Sequence, residues 1–241
     1  MTAVDSLEAT SARFSWPRTA ALHLGPAALA FTVALVVAPL LRVPQTFALT
    51  IAFAVVLTPL ELGILARAAR SLREVPSVLA FRGPLGRWRL VVPPLFAVAL
   101  AMAAAWSPAG DRLGRLFAGI LPGWALPSYD ATHGFAHTTL IVTMLVTLVV
   151  DGITNPLVEE LYFRGYLLPR LPVSGRSAIV VSAGLFTVQH YWQPFNWPLI
   201  LTLELILTTL VVRYGKLRLG IVMHCLANSV GILLTLIPLL T

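Results

Sequence analysis

Three short runs in the second half of the 241-residue chain carry residue types that could do chemistry: Glu159 and Glu160 followed by Arg164, Phe186 followed by His190, and His224 followed by Asn228. On a helix Glu160 and Arg164 are four apart, share a face and can form an ion pair. Glu159 is turned away by ~100° at ~3.6 residues per turn. Glu160 then has a partner and Glu159 does not. A carboxylate held in apolar surroundings without a local cation is a competent general base. His224 and Asn228, again four apart, project from one helix face and can act on a single point. Asp151 and Glu204 are further acids inside apolar runs; each is either support for such a site or a rival carboxylate.

The elements that must position these side chains are set by composition. The chain is 58% hydrophobic and 11% charged, with a mean hydropathy of +0.85. A soluble domain carries about 25% charged residues, so a water-soluble globule is excluded. The apolar residues arrive in blocks long enough to cross a ~30 Å hydrocarbon core at ~1.5 Å per residue. The blocks read as spans at 24–41, 46–66, 90–106, 138–155, 177–192, 197–212 and 219–238. The expected fold is an all-α polytopic membrane helical bundle of about seven transmembrane helices, with an extra half-helix starting at Pro156. That start is read from Asn155 as N-cap with Pro156 at the first helical position; the alternative is that Pro156 kinks the preceding helix. Residues 1–23 read as a cytoplasmic N-terminal segment, 24–137 as N-terminal membrane helices with an external loop, and 138–241 as a catalytic unit.

The net charge of +7 does not indicate nucleic acid, because the basic residues are nearly all arginines in short loops between apolar blocks. There they act as topology determinants. All but Arg42, Arg112 and Arg115 of the 17 basic residues fall on one side of the seven-span arrangement. This predicts a cytoplasmic N-terminus and an external C-terminus. The first residues lack an apolar core with a small-residue cleavage site, so the N-terminus is expected to be retained. Segment 107–137, with Trp124 and Tyr129, reads as an external interfacial loop. The arginine-over-lysine, alanine-rich usage suggests a bacterial cell membrane.

Depth arithmetic tests whether the polar pieces meet. At ~1.5 Å per residue, Glu159 lies roughly 17 Å from Arg170 and His190 roughly 20 Å from Arg176, so an antiparallel hairpin brings them level. His224 and Asn228 lie roughly 9 to 15 Å beyond Arg218 by the same rise. Four polar side chains from separate helices then converge inside the membrane toward the cytoplasmic side. An ionisable group there costs roughly 2.5 to 3.5 kcal/mol on insertion scales, so each needs a partner or a purpose. His133 and His137 with Asp130 form a weaker constellation, an external metal site. Cys225 is rotated off the His224 face, and no zinc-helix or nucleophile-elbow motif is present.

Taken in order, Glu-Glu-x-x-x-Arg at 159–164, Phe-x-x-x-His at 186–190 and His-x-x-x-Asn at 224–228 resemble the motifs of the CPBP intramembrane proteases, which include the CAAX prenyl endopeptidases. The resemblance covers about residues 138–238, and Pro156, Phe163 and Gly165 fit it too. It implies an intramembrane endopeptidase in which Glu159 activates water, His190 helps to hold that water, and His224 with Asn228 stabilises the oxyanion. Glu160, Arg164 and Phe186 would be supporting residues. The implied substrate is a peptide or protein, possibly lipidated in the manner of prenylated tails, met in membrane lipid and without nucleic acid. No metal cofactor is expected, because Asn is a poor zinc ligand and catalytic zinc has three good protein ligands; a zinc-dependent metalloprotease is the alternative. A non-catalytic membrane binding or immunity protein is the reading from another class. A proton-coupled transporter suits buried Glu and His but lacks paired discontinuous segments in two halves. No oligomeric state follows from the sequence.

Overall fold

The computed structural model describes residues 12–71, 86, 91–96, 98–100, 108–122, 126 and 134–240. Among them the chain is helical, without strands. We number the helices α1 (Trp16–Leu41), α2 (Gln45–Arg70), α3 (Val91–Leu100), α4 (Pro108–Ile120), α5 (His137–Arg170), α6 (Gly175–Val188), α7 (Trp197–Tyr214) and α8 (Leu217–Leu240). Five of them, α1, α2, α5, α7 and α8, are long and apolar enough to cross a membrane, while α3 and α6 are apolar but shorter. The chain is an integral membrane helical bundle.

α1 and α2 form a close hairpin because their facing residues are small. Ala27, Ala30, Ala34 and Ala38 are buried against Ala48, Leu49, Ala52 and Phe53. Small side chains let membrane helices approach where lipid offers no hydrophobic drive. Arg42 closes α1 in the left-handed conformation at φ 52°, its N–H donating to the Ala38 carbonyl. α2 then runs alongside α5 in the same direction. Thr50 meets Thr147 at 3.0 Å and donates to Asp151 at 2.7 Å, and Thr58 donates to Asn155 at 2.7 Å.

Of the two readings of Pro156, α5 fits the interior one and not the separate half-helix. The chain does not restart at Pro156 but continues as one helix of 34 residues, about 51 Å at ~1.5 Å per residue and longer than the hydrocarbon core is thick. A proline inside a helix removes one ladder bond and clashes with the preceding turn. Here the wide π-helical turn Val150–Thr154 precedes Pro156 and absorbs it. Asn155 is not an N-cap; its side chain is engaged by Thr58 and Asp151. The carbonyls loosened in that turn are capped from α8: Asn228 Nδ2 donates to Asp151 O at 2.9 Å and Ser229 Oγ to Gly152 O at 3.1 Å. The Cys225 thiol approaches the Ile153 carbonyl at 3.6 Å. Backbone polar groups at membrane depth are tolerated only when neighbours satisfy them in this way.

Segment 107–137 also departs from the expected loop, since α4 occupies part of it. Leu113, Leu116, Phe117 and Ile120 follow helical spacing between the exposed Arg112 and Arg115, an amphipathic pattern too short and too charged to register as a span. Trp124 and Tyr129 lie outside the described residues.

Gly152 fits its place because a Cβ there would lie 3.0 Å from Ser229 Oγ and 3.3 Å from Leu148 Cδ1, whereas Gly184 has open space around it. Gly152→Val should therefore lower stability by about 1–3 kcal/mol through overpacking of α5 on α8. Gly184→Ala should leave it unchanged or slightly higher. Thermal unfolding midpoints of the two variants in detergent check this pair.

Candidate active site

The site grows from Arg164. A second π-helical stretch, Glu160–Leu167, follows Glu159 in α5 and is almost wholly buried. Arg164 and Glu160 are both fully buried, and Arg164 Nη1 lies 3.1 Å from Glu160 Oε1. The guanidinium also pairs with Glu204 of α7, and its charged face stacks on the Phe186 ring 4.4 Å away. Arginine suits this place because its planar fork can serve two carboxylates and an aromatic face together. Glu204, which the sequence left as either support or rival, is thus bound as support.

Glu160 carries the link onward. Its Oε1 accepts a hydrogen bond from His224 Nδ1 of α8 at 3.0 Å. That commitment leaves Nε2 as the working nitrogen of His224, and Nε2 faces Glu159 Oε2 at 3.7 Å. The gap is too long for a direct hydrogen bond. One water oxygen about 2.8 Å from each atom could bridge it. The room for Glu160 comes from Gly220: a Cβ there would fall 2.5 Å from Glu160 Oε2 and 2.9 Å from Val211 Cγ2.

His190 sits just beyond the end of α6. Its Nδ1 donates to the Phe186 carbonyl at 2.8 Å, and its own carbonyl accepts from Trp197 Nε1 at 3.0 Å. Phe186 is the hub between the two imidazoles, with ring centroids 4.9 Å from His190 and 5.7 Å from His224. Both imidazoles, Asn228, Glu204, Phe186 and Met223 line a cavity of about 110 Å³. Glu159 is not part of that wall; it is 6% exposed and is linked to it through His224, which lines the cavity. The structure therefore brings Glu159, Glu160, Arg164, Phe186 and His224 into one contact network, with His190 and Asn228 lining the same cavity as Phe186 and His224.

Of the other candidates, Asp151 is held by Thr50 and Asn155, and Cys225 stays a half-buried thiol against α5. His137 is the first residue of α5, while Asp130 and His133 lie outside the described residues. Sequence reasoning passed over two buried polar residues, His23 and Glu61, each 1% exposed. The signal was present, since each is a lone ionisable group in or beside an apolar block.

Residues 141–230 match the family described as Type II CAAX prenyl endopeptidase Rce1-like. That match covers 90 of the 241 residues and supports assignment to the CPBP/CAAX proteases. Searches against curated proteins and against solved structures give no match. The match supports, in general terms, a CAAX-type intramembrane endopeptidase. All the residues of the network just described fall inside the matched segment, and His23 and Glu61 fall outside it.

Because Arg164 serves two buried carboxylates, Arg164→Met should destabilise the protein by about 3–5 kcal/mol, the usual cost of stranding buried charge. Pairing it with Glu204→Gln should restore part of that loss. Unfolding midpoints of the single and double variants, compared in a double-mutant cycle, measure the coupling.

Proposed function

We propose that this protease works by glutamate-activated water rather than by metal. Water between Glu159 Oε2 and the imidazoles attacks the scissile carbonyl carbon while its proton passes to Glu159. The tetrahedral oxyanion is held by His224 Nε2 and the Asn228 amide. For His224 to donate there, the ring carries hydrogens on both nitrogens at that step, the Nδ1 hydrogen held by Glu160. Glu159 then returns its proton to the leaving nitrogen as the C–N bond breaks. His190, which lines the cavity, helps to hold the water, its ring orientation fixed by the Phe186 carbonyl. Asn228 has one amide hydrogen engaged by the Asp151 carbonyl and a second left for the oxyanion.

The observation that carries this reading is the placement of Glu159 Oε2 against His224 Nε2 at 3.7 Å, beside a cavity shared with His190 and Asn228. The metal-free form is supported by the commitment of His224 Nδ1 to Glu160. Among the described residues, no group of three or more His, Cys, Asp or Glu side chains is placed to hold a metal ion. The substrate we propose is a peptide or lipidated peptide, because the rest of the cavity wall, apart from Gln193, is apolar, with Ile200, Leu203, Leu207 and Ala227. The N-terminus is assigned to the cytoplasm: the Phe14 N–H donates to the Arg170 carbonyl at 2.8 Å, which ties the start of α1 to the arginine-bearing end of α5.

Glu159→Gln should leave the protein inserted and folded while lowering cleavage by at least about 10²-fold, the usual worth of a general base. Mass spectrometry of membrane peptides from cells carrying wild type or Glu159→Gln reads both activity and substrate. Identical peptide profiles would favour a non-catalytic binding role. Asn228→Ala should cost about 10²–10³-fold, as loss of one oxyanion donor does. Chelation should leave the rate of purified protein unchanged; loss on chelation with recovery on adding zinc would move the assignment to a metalloprotease.

A further inference from the structure

One acid from the first half of the chain, outside the family-matched segment, reaches the site. Glu61 of α2 is 1% exposed, and its Oε1 is buried with no hydrogen-bond partner among the described residues. The register of α2 on α5 fixes what it faces. The two helices run in the same direction, from Thr50 at Thr147 and Asp151, through Thr58 at Asn155, to Leu65 in the cluster of Tyr162 and Phe163. Glu61 is three residues beyond Thr58 and Glu159 four beyond Asn155, advances of about 4.5 and 6 Å at ~1.5 Å per residue. The two carboxyls therefore come level on adjoining helices, and the charge of Glu159 is the one that acts on Glu61.

Several groups near the two carboxyls are already engaged. Arg164 serves Glu160 and Glu204. Tyr162, next but two after Glu159 on α5, donates its hydroxyl to the Leu22 carbonyl at 2.9 Å. Asp151 accepts from Thr50, and His224 Nδ1 is held by Glu160. Two neighbouring buried carboxyls do not both ionise; they share a proton.

We propose that Glu61 is a positioning residue for Glu159: as the neutral acid it donates a hydrogen bond to Oε1 of the Glu159 carboxylate, leaving Oε2, which faces His224, to take the proton from water. This rests on the reading of Glu159 as the general base. It gives the first membrane hairpin a part in the chemistry, since α2 then supplies the group that aims the base.

Infrared spectroscopy of the full-length protein in lipid nanodiscs tests the pairing without a substrate. A protonated-carboxyl C=O band should be lost in Glu61→Gln. The same band should persist in Glu159→Gln but move to the frequency of a more weakly hydrogen-bonded acid. If Glu61→Gln removes no such band, Glu61 is ionised and the proposal fails. If the band is unmoved by Glu159→Gln, the two groups are not bonded and it fails equally. Should Glu61→Gln not insert, the Glu159→Gln spectrum of glutamate-¹³C-labelled protein decides alone, an unmoved band again overturning the pairing. Cleavage by Glu159→Gln is measured separately: retained wild-type turnover overturns the base assignment itself, whatever the infrared result.

Discussion

A single guanidinium, sealed from solvent and shared between carboxylates of two helices, is the constraint on which the arrangement depends. Arg164 ties α5 to α7 through Glu204 and, through Glu160, to the imidazole of His224 on α8. A buried charge of this kind is a poor source of stability compared with packed hydrocarbon, but it strongly penalises any arrangement that separates the partners. The bundle is thereby held to one relative rotation of its helices. That rotation turns Glu159, the neighbour of Glu160, toward the Nε2 atom that Glu160 leaves uncommitted.

The backbone of α5 answers the same need. A straight helix with Pro156 at its centre would leave loosened carbonyls in an environment without water. The π-helical turn Val150–Thr154 accepts the proline, and the side chains of Asn228 and Ser229 close its exposed carbonyls. Asn228 thus has a structural bond and a second hydrogen to spare. The same docking fixes the height of α8 against α5, and so the height of His224 relative to Glu159. Irregular turns of this sort are found where helices carry function.

Much of the site was legible in the sequence because spacing of four on a helix is a local rule. Glu160 with Arg164, and His224 with Asn228, needed no knowledge of the fold. Level placement of the second half followed from counting rises between charged turns. What spacing could not reach was any relation between distant helices: Glu204 finds its partner only when the rotation of α7 against α5 is known, and Glu160 gains His224 as well as Arg164. The sequence left Pro156 as either a helix start or a kink because the Asn-Pro pair has the composition of a start, and only the side chains of α8 make it tolerable as an interior. α4 was missed because arginines and glycines interrupt its apolar face. Glu61 was overlooked although the cost of a lone acid in an apolar block applied to it as it did to Glu204.

The central claim is that Glu159 and the imidazole of His224 address a common wet space inside the bundle. The most direct measurement is a cryo-electron microscopy map of the protein in lipid nanodiscs at a resolution that shows ordered water. The account predicts a water oxygen within hydrogen-bond distance of both Glu159 Oε2 and His224 Nε2, open to the cavity bounded by His190 and Asn228. Dry aliphatic packing between those two atoms, or a Glu159 side chain turned toward lipid, would contradict it.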